Sequence, residues 1–151
     1  MKTKNKFISF IFTLILLFNV NVLAENSFEY EAKEIEILDN GNLIKGSDEI
    51  KILINKDIVI KSDNFEYLRN SELIKIFGNV KLVDNQNNIK INNDELIYSI
   101  KLNNLSSKVE TNLIYNNQYD FVFESFQYIL DQKKLISNDG LSIKDELGNY
   151  F

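Results

Sequence analysis

Leu73-Ile74-Lys75-Ile76-Phe77-Gly78-Asn79-Val80-Lys81-Leu82, a polar break from Asp84 to Asn88, then Ile89-Lys90-Ile91-Asn92-Asn93-Asp94-Glu95-Leu96-Ile97-Tyr98: in this stretch apolar and polar residues alternate. A period of two places one set of side chains on each face of a strand, whereas a helix would repeat its apolar residues every three or four positions. Ile74, Ile76, Gly78, Val80 and Leu82 share one parity and are expected to face inward. Ile89 and Ile91, and then Leu96 and Tyr98, follow after a one-residue change of phase at Asn92 to Asp94, which predicts a bulge or corner there.

The same alternation extends in both directions, through Glu34-Ile35-Glu36-Ile37, Lys51-Ile52-Leu53-Ile54, Asp57-Ile58-Val59-Ile60 and Tyr119 to Phe123. Between these runs lie Asp39-Asn40-Gly41-Asn42, Asn103-Asn104, Asn116-Asn117 and Asn138-Asp139-Gly140. Such residues suit turns because they accept positive φ or bond to their own backbone. Many short strands without helical stretches predict a sandwich, roll or barrel.

The pattern also repeats. Ile60-x-Ser62-Asp63-x-Phe65-x-Tyr67 matches Ile91-x-Asn93-Asp94-x-Leu96-x-Tyr98 and Phe121-x-Phe123-Glu124-x-Phe126-x-Tyr128. A looser copy, Tyr30-x-Ala32-Lys33-x-Ile35-x-Ile37, precedes them, and Gly46 and Gly78 look equivalent. A unit of roughly 30 residues, expected to hold three short strands, therefore recurs about four times, and stacked units bury a core that none could bury alone.

Composition removes several function classes. Among 151 residues there is no Cys, so neither a disulfide framework nor a thiolate metal site is available, and no His, the commonest general base and metal ligand. A net charge of −5 argues against nucleic-acid binding. Residues 1–24 read as a secretory signal: Lys2, Lys4 and Lys6, an apolar run from Phe7 to Phe18, and Val22-Leu23-Ala24 before an expected cleavage. Cleavage would leave 14 basic against 22 acidic residues in 25–151, a net charge of −8.

Gly78-Asn79-Val80, the turn, and Asp94-Glu95-Leu96-x-Tyr98 resemble the OstA-like repeat of lipopolysaccharide-transport proteins, found in LptA and in the N-terminal periplasmic domain of LptD, with a related fold in LptC. The likeness covers the whole of 25–151. It implies an all-β, open β-jellyroll whose interior holds the acyl chains of lipid A. It also implies a place in the periplasm or at the periplasmic face of the outer membrane. Partners would be other Lpt proteins, or a second copy, joined by edge-strand addition, together with the outer-membrane assembly machinery. Phe28 to Ile37 would form one open edge and Leu141 to Phe151 would lie near the other. The chain lacks the Cys common in LptD and stops at Phe151, where Gly148 to Phe151 reads as another strand beginning, so the choice of family member stays open.

On this reading the lipid-facing residues are Phe65, Tyr67, Ile74, Ile76, Val80, Leu82, Ile89, Ile91, Leu96 and Tyr98, with no catalytic residue, metal or cofactor. Phe77, Phe121, Phe123, Phe126 and Tyr128 serve as core, ligand contacts or both. Lys45, Lys51, Lys56, Lys61 and Lys75 could meet lipid phosphates at the rim, although scattered Lys on strands ordinarily serve solubility. A carbohydrate-acting enzyme would need two carboxylates across a cleft. Glu34, Glu36, Asp48, Glu49, Asp94 and Glu95 read instead as solvent-facing strand and turn positions, as does the faintly calcium-like Asp39-Asn40-Gly41-Asn42. The rival in another class is a β-scaffold or plug domain of an outer-membrane protein that binds no lipid.

Overall fold

The computed structural model describes residues 28–137 and 139–145, and the side chain of residue 145 is left aside. The expected signal segment, the strand start at Gly148 and the turn residue Asn138 lie outside the described residues.

All regular structure in this region is antiparallel strand apart from two single 3-10 turns. The strands are β1 (Phe28–Glu31), β2 (Glu34–Leu38), β3 (Leu43–Ile54), β4 (Ile58–Leu68), β5 (Leu73–Asp84), β6 (Ile89–Ser99), β7 (Asn104–Ser107), β8 (Thr111–Tyr115), β9 (Tyr119–Phe123), β10 (Phe126–Ile129), β11 (Lys134–Ile136) and β12 (Leu141–Asp145). Their pairing makes one meander that is bent along its midline. Four long strands, β3 to β6, cross the bend, and the pairs β1/β2, β7/β8, β9/β10 and β11/β12 are crossings broken at the same place.

The bend creates two layers. The first holds β2, the halves of β3 to β6 around Ile44, Phe65, Ile76 and Leu96, then β7, β10 and β11. The second holds β1, the halves around Ile52, Ile60, Leu82 and Ile91, then β8, β9 and β12. Inward side chains of both layers form one core. The fold is thus an open β-jellyroll, as the OstA-like resemblance implied and within the sandwich, roll or barrel that the alternation predicted.

The repeat is a hairpin of two bent strands, not three short ones. At the bend, β4 and β6 change inward parity: Ile58, Ile60 and Ser62 give way to Phe65, and Ile89, Ile91 and Asn93 to Leu96 and Tyr98. β3 and β5 keep their parity because each carries one extra residue at the bend. The extra residues sit at Asp48-Glu49 (φ 62 and 53) and Gly78-Asn79 (φ 78 and 48), the left-handed backbone of a bulge. The bulge beside Asn92 to Asp94 therefore belongs to β5, not to β6.

The counterpart of Gly78 is accordingly Asp48, and Gly46 is not equivalent. Gly46 lies opposite Phe65, and a Cβ there would come within 2.1 Å of the Phe65 ring. Gly46 makes room for an aromatic side chain, whereas Gly78 supplies a backbone conformation. Two expected turns also shift: Asn104 begins β7, and Asp139-Gly140 lies at a bend between β11 and β12. The reversal from Arg69 to Ser71, with Glu72 left-handed at its end, was not foreseen.

Candidate functional site

The inward face of the bent meander is the candidate site, and its centre is filled. Ile52, Ile54, Ile60, Ile76, Leu96 and Tyr98 are fully buried, and Phe65, Ile74, Val80, Leu82, Ile89 and Ile91 nearly so. Nine of the ten residues expected to face lipid are thus inward and covered by the opposite layer, and Tyr67 is half-buried. They could touch a ligand only if the layers part.

The two ends differ from the centre. At the N-terminal end Phe28 stands edge-on to Tyr67 with ring centroids 5.1 Å apart, and Tyr30 lies 5.0 Å from Phe65, so the layers meet through aromatics. Beyond them Ile35 and Ile37, in the places of the buried Phe65 and the half-buried Tyr67, are 51% and 66% exposed. They lie on β2, an edge strand paired with β3 on one side.

At the C-terminal end the layers separate into an apolar opening of about 670 Å³. Ile89, Tyr115 and Phe121 line it from the second layer and Leu135 from the first, with Lys133 and four amide side chains, Gln86, Asn87, Asn88 and Asn116, around it. Tyr115 and Tyr119 keep the inward parity of Leu113 and Phe121 yet are 40% and 42% exposed. Leu141 and Ile143 of β12, opposite Phe123 and Phe121, extend the same face.

Between these ends one polar clasp ties the layers. Asp84, 1% exposed, ends β5 in the second layer, and Tyr128 lies on β10 in the first. The Tyr128 hydroxyl donates to Asp84 Oδ2 at 2.8 Å; Asn87 donates to both Asp84 oxygens, at 2.9 Å from its backbone N–H and 2.8 Å from its side chain. Burial first, and then the Asp84 carboxylate, push the Tyr128 phenol well above its ordinary pKa. Tyr98, one repeat earlier, donates to Asn103 at 3.0 Å, and Asn103 donates to Asp131 at 2.6 Å. Burial, helped by the Asp131 charge, pushes the Tyr98 pKa up to about 12.

The clasp was missed in the sequence, though a signal exists: Asp84 continues the inward parity of Ile74 to Leu82, and a carboxylate there demands donors. Lys133, Tyr115 and Leu135 were missed as well, because only the fold gathers them. Among the expected rim lysines, Lys45 and Lys75 lie on the outer face of the first layer and Lys51 and Lys61 on that of the second, while Lys56 sits in a turn. The four on strands point away from the trough. Phe77 likewise faces outward, half-buried, since it neighbours inward Ile76.

Glu34, Glu36, Asp48, Glu49, Asp94 and Glu95 are all exposed. Among the described residues no three or more acids gather as a metal site. The Asp39 carboxylate accepts from Asn42 at 3.1 Å, so that loop's oxygens serve the turn.

No protein-family model matches the sequence. No curated protein matches it either. Among solved structures the chain is similar to LptH of Pseudomonas aeruginosa, described as the LptA-homologous periplasmic component of the conserved lipopolysaccharide transport device. The TM-score is 0.65 over 77% of this chain and 85% of that one, at 11% sequence identity. The likeness is one of fold.

Proposed function

We propose that this chain is a periplasmic carrier that binds lipopolysaccharide between its two layers and hands it toward the outer membrane without catalysing a reaction. The observation that carries the reading is the apolar opening at the C-terminal end, which continues directly into the inward faces of both layers. Acyl chains suit Ile89, Tyr115, Phe121 and Leu135, and the Lys133 ammonium at the rim suits a phosphate on the headgroup. Each large apolar group removed from water contributes about 1.5–3 kcal/mol. Several acyl chains can therefore offset the cost of separating the layers.

The edges support the transfer step. Among the described residues β1 and β2 leave one side unpaired at the N-terminal end, as do β11 and β12 at the other, and open edges invite another strand. On this reading the partners are other Lpt-type jellyrolls, or a second copy, and the outer-membrane assembly machinery. The fold shared with a lipopolysaccharide-transport component favours that choice of ligand.

A second reading, a β-scaffold without lipid, is favoured by the centre of the trough, which the chain's own side chains fill. Titration of labelled lipopolysaccharide against wild type and Phe121→Glu separates the two. Phe121 is half-buried at the opening, so the variant keeps its core. The carrier reading expects affinity to fall roughly tenfold or more with an unchanged circular dichroism spectrum, since one large apolar contact is lost. No binding by wild type supports the scaffold, and equal binding by both proteins removes the opening as the lipid site.

A further inference from the structure

We propose that the outer face of the second layer is a docking surface for an anionic phospholipid membrane. On that face Lys51 of β3 lies directly opposite Lys61 of β4, and Lys61 directly opposite Lys81 of β5. Paired strands lie about 4.8 Å apart, so three ammonium stems fall within about 10 Å. Like charges opposite one another across a sheet repel, and this arrangement disfavours the fold on its own account.

Neutralisation is partial. Glu31 of β1 accepts from Lys51 at 3.3 Å, but among the described residues neither Lys61 nor Lys81 has an ion-pair partner. Lys90, one row away on β6, is turned to Asn117 at 2.9 Å. The acids on or beside this face are Glu29 and Glu31 at the β1 edge, Asp120 on β9, Asp63 and Asp94 at the bend, and Glu110, which with Asp94 lines a hollow beside Lys81. The lysine row thus forms a basic stripe on a chain of net charge −5.

The row beside it is aliphatic. Leu53, Val59 and Val83 are direct cross-strand neighbours, half-buried, with no other layer over them among the described residues. Cations on flexible apolar stems flanking aliphatic side chains, on an open sheet face, match a lipid interface: ammonium groups reach phosphates while the stems and the aliphatic row meet the headgroup region. An acidic protein partner would want a basic recess, and the hollow beside Lys81 is lined by Asp94, Glu110 and amide side chains, which would repel one. The opposite outer face differs, with Lys45 bound to Glu66 at 2.8 Å and Glu34, Glu36 and Glu95 exposed. A membrane would therefore orient the molecule with its second layer down and its trough free. The inference does not depend on what the trough carries.

The test is co-sedimentation of residues 25–151 with vesicles of phosphatidylcholine alone or mixed with phosphatidylglycerol, at low and high salt. Wild type should bind only the anionic vesicles, and less at high salt. A basic residue near an anionic surface is worth about 1 kcal/mol, roughly fivefold in affinity. Lys61→Gln with Lys81→Gln should therefore weaken binding about 25-fold, while Lys75→Gln with Lys134→Gln, on the other layer, should change it by less than about twofold. The first pair relieves repulsion and should melt no lower than wild type, so failure to fold would not explain a loss. Equal weakening by both pairs, or no preference for anionic vesicles, overturns the proposal. Binding to immobilised polyglutamate but not to vesicles also overturns it, in favour of an acidic protein partner.

Discussion

Replacing Tyr128 with Phe removes one oxygen from the clasp and nothing from the core. Asp84, 1% exposed, would then keep only the two donors of Asn87, at 2.9 and 2.8 Å. A hydrogen bond to a charged group contributes about 1.5–3 kcal/mol, against about 1 for a neutral pair. Tyr128→Phe should therefore cost about 2 kcal/mol, and Tyr98→Phe, whose hydroxyl meets the neutral amide of Asn103 at 3.0 Å, about 1 kcal/mol. For a chain of this size about 4 °C of Tm corresponds to 1 kcal/mol, giving drops of about 8 and 4 °C. Urea titration followed by far-ultraviolet circular dichroism measures both without a tryptophan signal. Because the clasp joins the layers, amide exchange at the 85–88 turn should also quicken in Tyr128→Phe and stay unchanged in Tyr98→Phe. If Tyr128→Phe costs no more than Tyr98→Phe and leaves exchange at that turn alone, the clasp does not hold the layers together.

Gly46→Ala would put its Cβ 2.1 Å from the Phe65 ring and should destabilise by about 1–3 kcal/mol, with Phe65→Leu recovering part of the loss in the double variant; full stability of the single variant in urea would contradict the packing. Tyr98 should titrate near pH 12, about two units above a free phenol. The unfolded chain releases that proton first, so stability is complete below pH ~10 and declines as pH rises through 12, a decline Tyr98→Phe should lessen in denaturant midpoints. Ile37→Lys, at a position 66% exposed on an edge strand, should leave the Tm unchanged yet weaken self- or partner association seen by chemical crosslinking; unchanged association removes the edge from the account.

Strand character and the two-residue alternation were legible because inward positions are almost all Ile, Leu, Phe or Tyr. The repeat was legible for a narrower reason. β4 and β6 change parity at the bend without an extra residue, so Ser62-x-x-Phe65 and Asn93-x-x-Leu96 keep a visible spacing. β3 hides its bulge, since Asp48-Glu49 adopts the conformation that Gly78-Asn79 adopts in β5 and no glycine marks it. Gly46 misled because a glycine that clears space for a ring reads the same as one that supplies positive φ. The expected lipid-facing residues were inward, but alternation cannot tell a filled interior from an open one. That difference depends on how far apart the layers stand. The opening and the clasp join residues 44 positions apart, as Asp84 and Tyr128 are, and no local pattern encodes such a distance. A core position such as Val80, 1% exposed, is for the same reason a poor place to test lipid binding, since Val80→Glu would bury an unpaired carboxylate and unfold the chain.

The measurement closest to the carrier reading is site-specific photocrosslinking in cells that make lipopolysaccharide. A benzophenone side chain would replace Phe121 or Leu135 inside the opening, and Val122 or Ile136 on the outer faces as neighbours of opposite parity. The account predicts lipopolysaccharide adducts at positions 121 and 135 and none above background at 122 and 136. Adducts of equal yield on both faces, or none at 121 and 135 in a protein that remains folded, would contradict it.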